Sequence, residues 1–454
     1  TSIPNDGQVQ LSAGGGGNWC QPNLSITALD LPKSGVANAI SAIEGKGFAG
    51  TGDNSSGISY ASIAISNTHP PVATVSGTFD GFKTNDGIFG DADYAYLATD
   101  TNSKEVEIVD LTHITNGKYS EAGYFNAPGN GTGNSVFVLG SVGYMTSGNH
   151  LYTFDLSSKS GSRPQLGSVT LAGTGAKVYV VGNYAYVAIS EETLELQIIQ
   201  VSDGGRTLSI VGQADVNGHE ATDVFVNSTG TRVYLATKSS SSQKEFFIID
   251  VSTKTGSRPT VGSYEANGMN PKGVTVVTGN KALLVGTGGE EYQVIDISNE
   301  TSPTRCGGLN IDSGVNGISS VLEQDGDTYS YIITGDTAAE FKIIEGPATN
   351  GTYTSPSFDA GSDVYFNSFT VNHIVPSSTL IQYEVAVAAA VNNSCSGVNF
   401  SYAGPFATSS ALPSTTGNAA YQNPGRCIKY KVTFSTADPT QTPILYDISF
   451  NYSL

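Results

Sequence analysis

The sequence predicts an all-β fold, a seven-bladed β-propeller followed by a jelly-roll-like β-sandwich, and three observations predict it. The first is composition. Of 454 residues 54 are Gly, and only 13% are charged. Thr, Ser, Asn and Val are abundant, while Lys, Glu and Leu are sparse, a mix that suits strands and tight turns rather than helices. The second is a short alternating apolar pattern that returns every 44 to 50 residues, the spacing of four-stranded propeller blades. The third is residues 352–454, where apolar and polar residues alternate but the repeat is absent.

The repeat reads as alternating apolar residues, an acidic or polar residue, an apolar one, then Ser or Thr. Copies are Ser62–Ser66, Val106–Thr112, Leu151–Ser157, Leu196–Ser202, Phe246–Ser252, Tyr292–Ser298 and the truncated Phe341–Glu345. Two strand-like segments precede each copy, such as Asp223–Val226 with Arg232–Thr237, or Lys177–Val181 with Tyr184–Ala188. A fourth strand follows, as in Thr260–Tyr264. Gly, Asn and Asp fill the gaps, as tight turns require. Residues 157–168 and 252–263 share the frame Ser-x-Lys-x-Gly-Ser-Arg-Pro-x-x-Gly-Ser, too close a match for chance periodicity.

The units run over 36–80, 84–127, 134–172, 176–216, 221–266, 271–311 and 315–345. The last supplies three strands, and Asn23–Leu31 reads as its missing outer strand. A strand borrowed from the N-terminus closes the ring and removes an edge open to aggregation. The four cysteines form no CxxC pair, so two disulfides fit better than a zinc site. Cys306 falls in the outer strand of the sixth unit and Cys20 just before the closing strand. A bridge between them rivets the seam and contributes roughly 3–5 kcal/mol by closing a long loop. Cys395 and Cys427 each flank a strand of the C-terminal domain and can pair within it.

The domains are thus an arm at 1–19, the propeller at 20–345, a linker at 346–351 and the sandwich at 352–454. Sandwich strands are expected at Tyr365–Val371, Leu380–Val387, Val398–Tyr402, Ile428–Phe434 and Ile444–Tyr452. In the arm, Gln8, Val9, Gln10 and Leu11 alternate like a short strand, and Ala13–Gly17 reads as a tether. Two readings of the arm compete: a frayed terminus, or a strand that docks on a neighbouring subunit. Thr1 reads as a processed end.

The net charge of −19 argues against nucleic acid and anionic membrane surfaces as partners. No apolar run reaches 18 residues, so no membrane span is expected. Sequons at Asn23, Asn54, Asn130, Asn227, Asn299, Asn350, Asn392, Asn399 and Asn451 matter only in a glycosylating surface context. Catalysis has little to stand on. His69, His113, His150, His219 and His373 are scattered, and no metalloprotease, phosphate-loop or nucleophile-elbow motif occurs. The Gly-rich stretches 126–134 and 286–289 read as turns. No cofactor is expected, with calcium as the one candidate ion. Glu323, Asp325 and Asp327 space carboxylates for it, as do Asp86, Asp91 and Asp93, though a plain Asp-Gly turn explains the first set equally well. The channel mouth is the default ligand site. It should be ringed by residues that start the innermost strands: Asn38, Asp86, Ser135, Lys177, Asp223, Lys272 and Asn316. A ring of charges and amides suits a sugar, a peptide or an ion, or simply a solvated channel. Trp19, Tyr94 and Tyr184 are candidate exposed aromatics for stacking on sugars, against the plainer reading of packing.

The run Asp223-Val-Phe-Val, Tyr234-Leu-Ala-Thr and Phe246-Phe-Ile-Ile-Asp-Val-Ser252 resembles the LVIVD-type propeller repeat of exported bacterial surface proteins. With Asn18-Trp-Cys-Gln-Pro22, Leu29-Asp-Leu-Pro32 and Leu445–Ser453, residues 19–454 are similar to large pilin-like exported proteins of ultrasmall candidate-phylum bacteria. That group commonly carries an apolar prepilin-like helix near the N-terminus, which this sequence does not show. The resemblance implies an extracellular, non-catalytic structural protein, a subunit of a surface filament, pilus-like fibre or surface layer that polymerises through its arm and sandwich. The competing expectation is an adhesin that binds a glycan or host protein through the propeller face or the sandwich.

Overall fold

A computed structural model describes residues 9–10, 19–32, 37–52, 58–68, 71–324, 327–346, 350–436 and 443–454. The chain divides into two compact units, Trp19–Gly346 and Pro347–Leu454, the second together with Thr1–Asn18.

The first unit is a succession of four-stranded antiparallel meanders. Their innermost strands are Ala37–Ile43, Thr84–Gly90, Ser135–Leu139, Thr174–Val181, Ala221–Val226, Asn270–Val277 and Val315–Leu322. Each packs beside the next, and the last packs beside the first. Second strands such as Tyr94–Thr99 and Arg232–Thr237 are buried on both faces, between neighbouring meanders. That is why the second and third strands read as nearly unbroken apolar runs rather than strict alternation. Outer strands such as Gln165–Thr170 are half exposed and alternate.

The repeat's acidic residue has a local job. The carboxylates of Asp110, Asp155, Asp250 and Asp296 accept the backbone N–H two residues on, from Thr112, Ser157, Ser252 and Ser298, at 2.8–2.9 Å. At Asp155, Asp250 and Asp296 these Asx turns end the third strand, whereas Val106–Thr115 runs on past Asp110. Hydrogen bonds from the Ser or Thr hold the four carboxyls below the usual range. The fourth copy has Gln200 instead of Asp, and there a 3-10 turn, Asp203–Gly205, makes the corner.

Closure follows the expected route. Asn23–Leu29 pairs antiparallel with Phe341–Glu345, with Asn23 opposite Glu345 and Leu29 opposite Phe341. Asn23 Nδ2 donates to Glu345 Oε1 at 3.0 Å. Cys20 and Cys306 form a disulfide with a Cα separation of 4.9 Å, and Cys306 lies in Thr304–Leu309, the outer strand of the preceding meander.

In the C-terminal unit, Phe358–Ile374 passes between two antiparallel sheets. Its first part pairs with Gly425–Thr436 and its second with Ile444–Ser453. Thr379–Ala388 and Tyr402–Phe406 extend the first sheet, and Ser410–Ala411 joins the second. One core, including Phe366, Phe369, Tyr383, Val432 and Phe434, lies in this unit. Cys395 and Cys427 are bridged. Two expectations need correction. The segment read as a linker at 346–351 already contributes a strand, Asn350–Thr354, paired with Gly425–Thr436. The strand expected at Val398–Tyr402 begins only at Tyr402, because it must pair with Thr379–Ala388 through Ala386 and Tyr402.

Candidate functional site

Asn38, Asp86, Ser135, Lys177, Asp223, Lys272 and Asn316 all line one cavity of about 760 Å³ at the centre of the ring. They meet there because each sits on an innermost strand. Lys238, which the sequence reading missed, lines it too and is paired with Glu220.

Much of this polar lining is already engaged in joining neighbours. Asn316 Nδ2 donates to the Ala37 carbonyl at 3.0 Å and Asn38 Nδ2 to the Thr84 carbonyl at 3.1 Å. Asn85 continues the pattern to Gly133 at 2.7 Å, and Asn134 to Gly175 at 3.1 Å. Ser135 Oγ accepts the Val178 N–H at 3.3 Å, and Asp223 Oδ2 the Val274 N–H at 2.8 Å. Each bond crosses from one meander to the next, worth about 0.5–1.5 kcal/mol net. Lys177 Nζ donates to the Asp86 carbonyl oxygen. Desolvation raises the Asp223 carboxyl above its ordinary value, with nearby Lys177 opposing.

A second set of clasps also went unforeseen. Glu105, Glu195, Glu245, Glu291 and Glu340 are nearly inaccessible to solvent. Each accepts the backbone N–H just past its outer strand, from Ala127, Val216, Ala266, Ile311 and Leu31, at 2.8–3.0 Å. The Glu340–Leu31 bond shows the borrowed N-terminal strand held by the same device as the covalently continuous ones. The signal was present in the sequence: each of these glutamates immediately precedes the third strand. Burial pushes the Glu195 carboxyl up to about 7.

The shared frame at 157–168 and 252–263 is a stitch between neighbours. Gly161 and Gly256, at φ of 68° and 75°, turn the chain so that it pairs in parallel with the preceding outer strand, at Gly123 and Gly212. A Cβ at Gly212 would collide with the Lys254 carbonyl oxygen. Lys159 Nζ lies 5.9 and 5.6 Å from the Tyr94 and Tyr96 rings, and Lys254 Nζ lies 5.6 and 5.7 Å from those of Tyr184 and Tyr186. Lys254 also donates to the carbonyls of Val251, at 2.6 Å, and Gly230. Tyr94 and Tyr184 are therefore lysine platforms rather than free stacking surfaces. Trp19, expected to be exposed, is 1% exposed and packs among Val285, Tyr292 and Ile344.

Of the calcium candidates, Glu323 and Asp91 are engaged in other bonds. Glu323 is committed to the Gly45 N–H at 2.7 Å and the Tyr331 hydroxyl at 2.6 Å; Asp327 is buried, and Asp325 lies outside the described residues. Asp91 is spent on the N–H groups of Asp93 and Tyr94, in the turn after the strand that carries Asp86. Among the described residues no group of three His, Cys, Asp or Glu could hold a metal ion. The described histidines stay apart: His150 stacks on Tyr152, His219 faces Glu192, and His373 lies 2.6 Å from the Tyr383 hydroxyl.

The arm departs from expectation in its partner. Val9–Gln10 forms a short strand antiparallel to the chain's own Ile444–Ser453, with Val9 opposite Leu445 and Gln10 opposite Ile444. Gln8 and Leu11 lie outside the described residues. Val9 is 6% exposed and joins the core of the C-terminal unit. Burying such a side chain is worth about 1.5–3 kcal/mol, a modest hold.

The meanders and their cyclic packing define a β-propeller repeat protein. Two segments of the ring, residues 172–205 and 277–310, match the LVIVD repeat model. Solved structures agree at the level of fold. A protein from Lactobacillus plantarum aligns at a TM-score of 0.55 and 12% identity, over 69% of this chain and 92% of its own. The Cps50 (Swd1) β-propeller domain of Myceliophteria thermophila aligns at 0.52 and 11%, over 72% and 99%. The WD40 β-propeller domain of Doa1 aligns at 0.51 and 11%, over 71% and 96%. No curated protein is a significant match. Two disulfides are compatible with an extracellular location. No helix among the described residues is long and apolar enough to cross a membrane.

Proposed function

We propose that this chain is a non-catalytic extracellular structural protein, a subunit of a surface fibre or layer, built from a seven-bladed propeller and a jelly-roll-like sandwich. The observation that carries this reading is in the propeller: side chains of its channel lining, among them Asn38, Asn85, Asn134, Asn316 and Asp223, are engaged in bonds between blades, which suits a rigid body more than a reaction centre. Electron microscopy of the purified protein tests the proposal. Ordered fibres or sheets are expected, and isolated particles with the arm intact would sink it.

A further inference from the structure

We infer that the channel of the ring binds a neutral saccharide of one or two pyranose rings, held between a wall of aromatic side chains and a facing set of hydroxyls. Three observations carry it. First, four neighbouring innermost strands place an aromatic residue at one level of the channel. Phe89, Phe137, Tyr179 and Phe225 each follow directly after a Val or Ile that packs in the core between blades. Successive rings lie tilted against one another with centroids 5.0, 5.1 and 5.3 Å apart, so they form one continuous wall. All four are half-buried and line the central cavity, which leaves part of each ring facing it.

Second, the same step elsewhere on the ring carries small hydroxyl side chains, in Ile40-Ser41, Val274-Thr275 and Ile318-Ser319. The innermost strands that bear them pack one beside the next, so the hydroxyls face the aromatic wall as a group. Third, the aromatic rings do not fill the channel. A cavity of about 760 Å³ remains, within the roughly 300–1,000 Å³ usual for ligand pockets.

A pyranose matches both sides. Its C–H face is apolar and packs on aromatic rings, whose faces are electron-rich. Its rim of hydroxyls donates and accepts, as the hydroxyls of Ser and Thr do. A wholly apolar ligand would strip water from Ser41, Thr275 and Ser319 and give nothing back. Lys177, Lys238 and Lys272 share the cavity with Asp86 and Asp223, so neither sign of charge dominates, which suits a neutral ligand. Burial, with the Asp223 carboxyl nearby, raises the Tyr179 hydroxyl above its ordinary value, so it stays a neutral donor within the wall.

The test titrates the full-length protein with lactose, maltose, cellobiose and N,N′-diacetylchitobiose, followed by saturation-transfer difference NMR. At least one is expected to bind with a Kd of about 1 mM or tighter, with strongest transfer to the ring C–H protons of its apolar face. Phe137→Ala should weaken that binding about tenfold. Ser319→Leu fills the space facing the wall without removing an aromatic ring, and should abolish it. Ser41→Leu repeats the test from the neighbouring blade, should Ser319→Leu fold poorly. No transfer to any of the four sugars, or binding that survives these substitutions unchanged, overturns the site. Binding of tetramethylammonium in place of every sugar overturns the ligand class. Fibre formation is read separately by electron microscopy, so protein that assembles but binds no sugar loses this site and keeps its structural role.

Discussion

The ring and the C-terminal unit handle their strand edges in different ways. In the ring, inner strands are clasped by Asn38, Asn85, Asn134 and Asn316, outer strands by the buried glutamates, and the seam by a borrowed strand and a disulfide. In the C-terminal unit one long strand, Phe358–Ile374, runs from one sheet into the other and pairs in each. Exposed large apolar side chains follow the same division. Nine of the described ones fall in residues 347–454 and seven in the much longer ring. The ring still has edges of its own, since outer strands such as Gln165–Thr170 and Thr260–Tyr264 end their sheets, but these are only six and five residues long, which limits pairing with another chain.

The largest expected effect is at the seam. Replacing both Cys20 and Cys306 by Ser opens a loop of 286 residues and should cost the ring up to about 5 kcal/mol in urea unfolding. The Cys395–Cys427 bridge closes only 32 residues, so the same change there should cost about 3–4 kcal/mol. Equal losses would break the view that the ring depends specially on its seam.

The buried glutamates of the ring and Asp359 of the C-terminal unit should contribute to stability with opposite pH dependence. Burial holds the Glu195 and Glu107 carboxyls at about 7. The folded ring thus binds protons that the unfolded chain has released. This contribution is full below the ordinary value of 4.5 and lost as pH rises through about 7. The urea midpoint of the ring should climb as pH falls from roughly 8 to roughly 5.5, and Glu195→Gln should flatten the slope by up to about one proton. In the C-terminal unit, the hydrogen bond from Arg426 holds Asp359 below its ordinary range. Its contribution is present above the unfolded value and lost as pH falls. A ring insensitive to pH would refute the account of the glutamate clasps.

The smallest effect is Lys254→Met, which keeps the stem over Tyr184 and Tyr186 but removes the charge and the bonds to two carbonyls. A loss of about 1 kcal/mol from the ring, with the C-terminal unit unchanged, is expected in urea unfolding.

What could be read from the sequence was what is local or repeated. Turns of the form Asp-x-Ser or Asp-x-Thr recur in four copies of the repeat, so the period was visible, and starting residues of the inner strands converge on the channel wherever a ring closes. Long-range commitments stayed hidden. That Asn38 is spent on the Thr84 carbonyl depends on how one innermost strand lies against the next. Trp19 precedes a strand and follows glycines, a context that reads as exposed, yet it packs against Gly346 and the core. The pairing of Val9 with Leu445 joins residues from opposite ends of the chain, a contact that no local period announces. The glutamate clasps were legible in principle, since one residue type precedes each of five third strands, but Glu before a strand looks like ordinary surface charge.

The place where the arm leaves the ring has a mechanical consequence. Any pull on residues 1–18 enters the propeller at Trp19 and Cys20, ahead of the strand Asn23–Leu29 in the chain. Cys20 is covalently fixed to the neighbouring blade. Tension is therefore diverted into a sulfur–sulfur bond before it can peel the closing strand away one hydrogen bond at a time. Under load the non-covalent pairing of Val9–Gln10 with Ile444–Ser453 should let go while the ring remains shut.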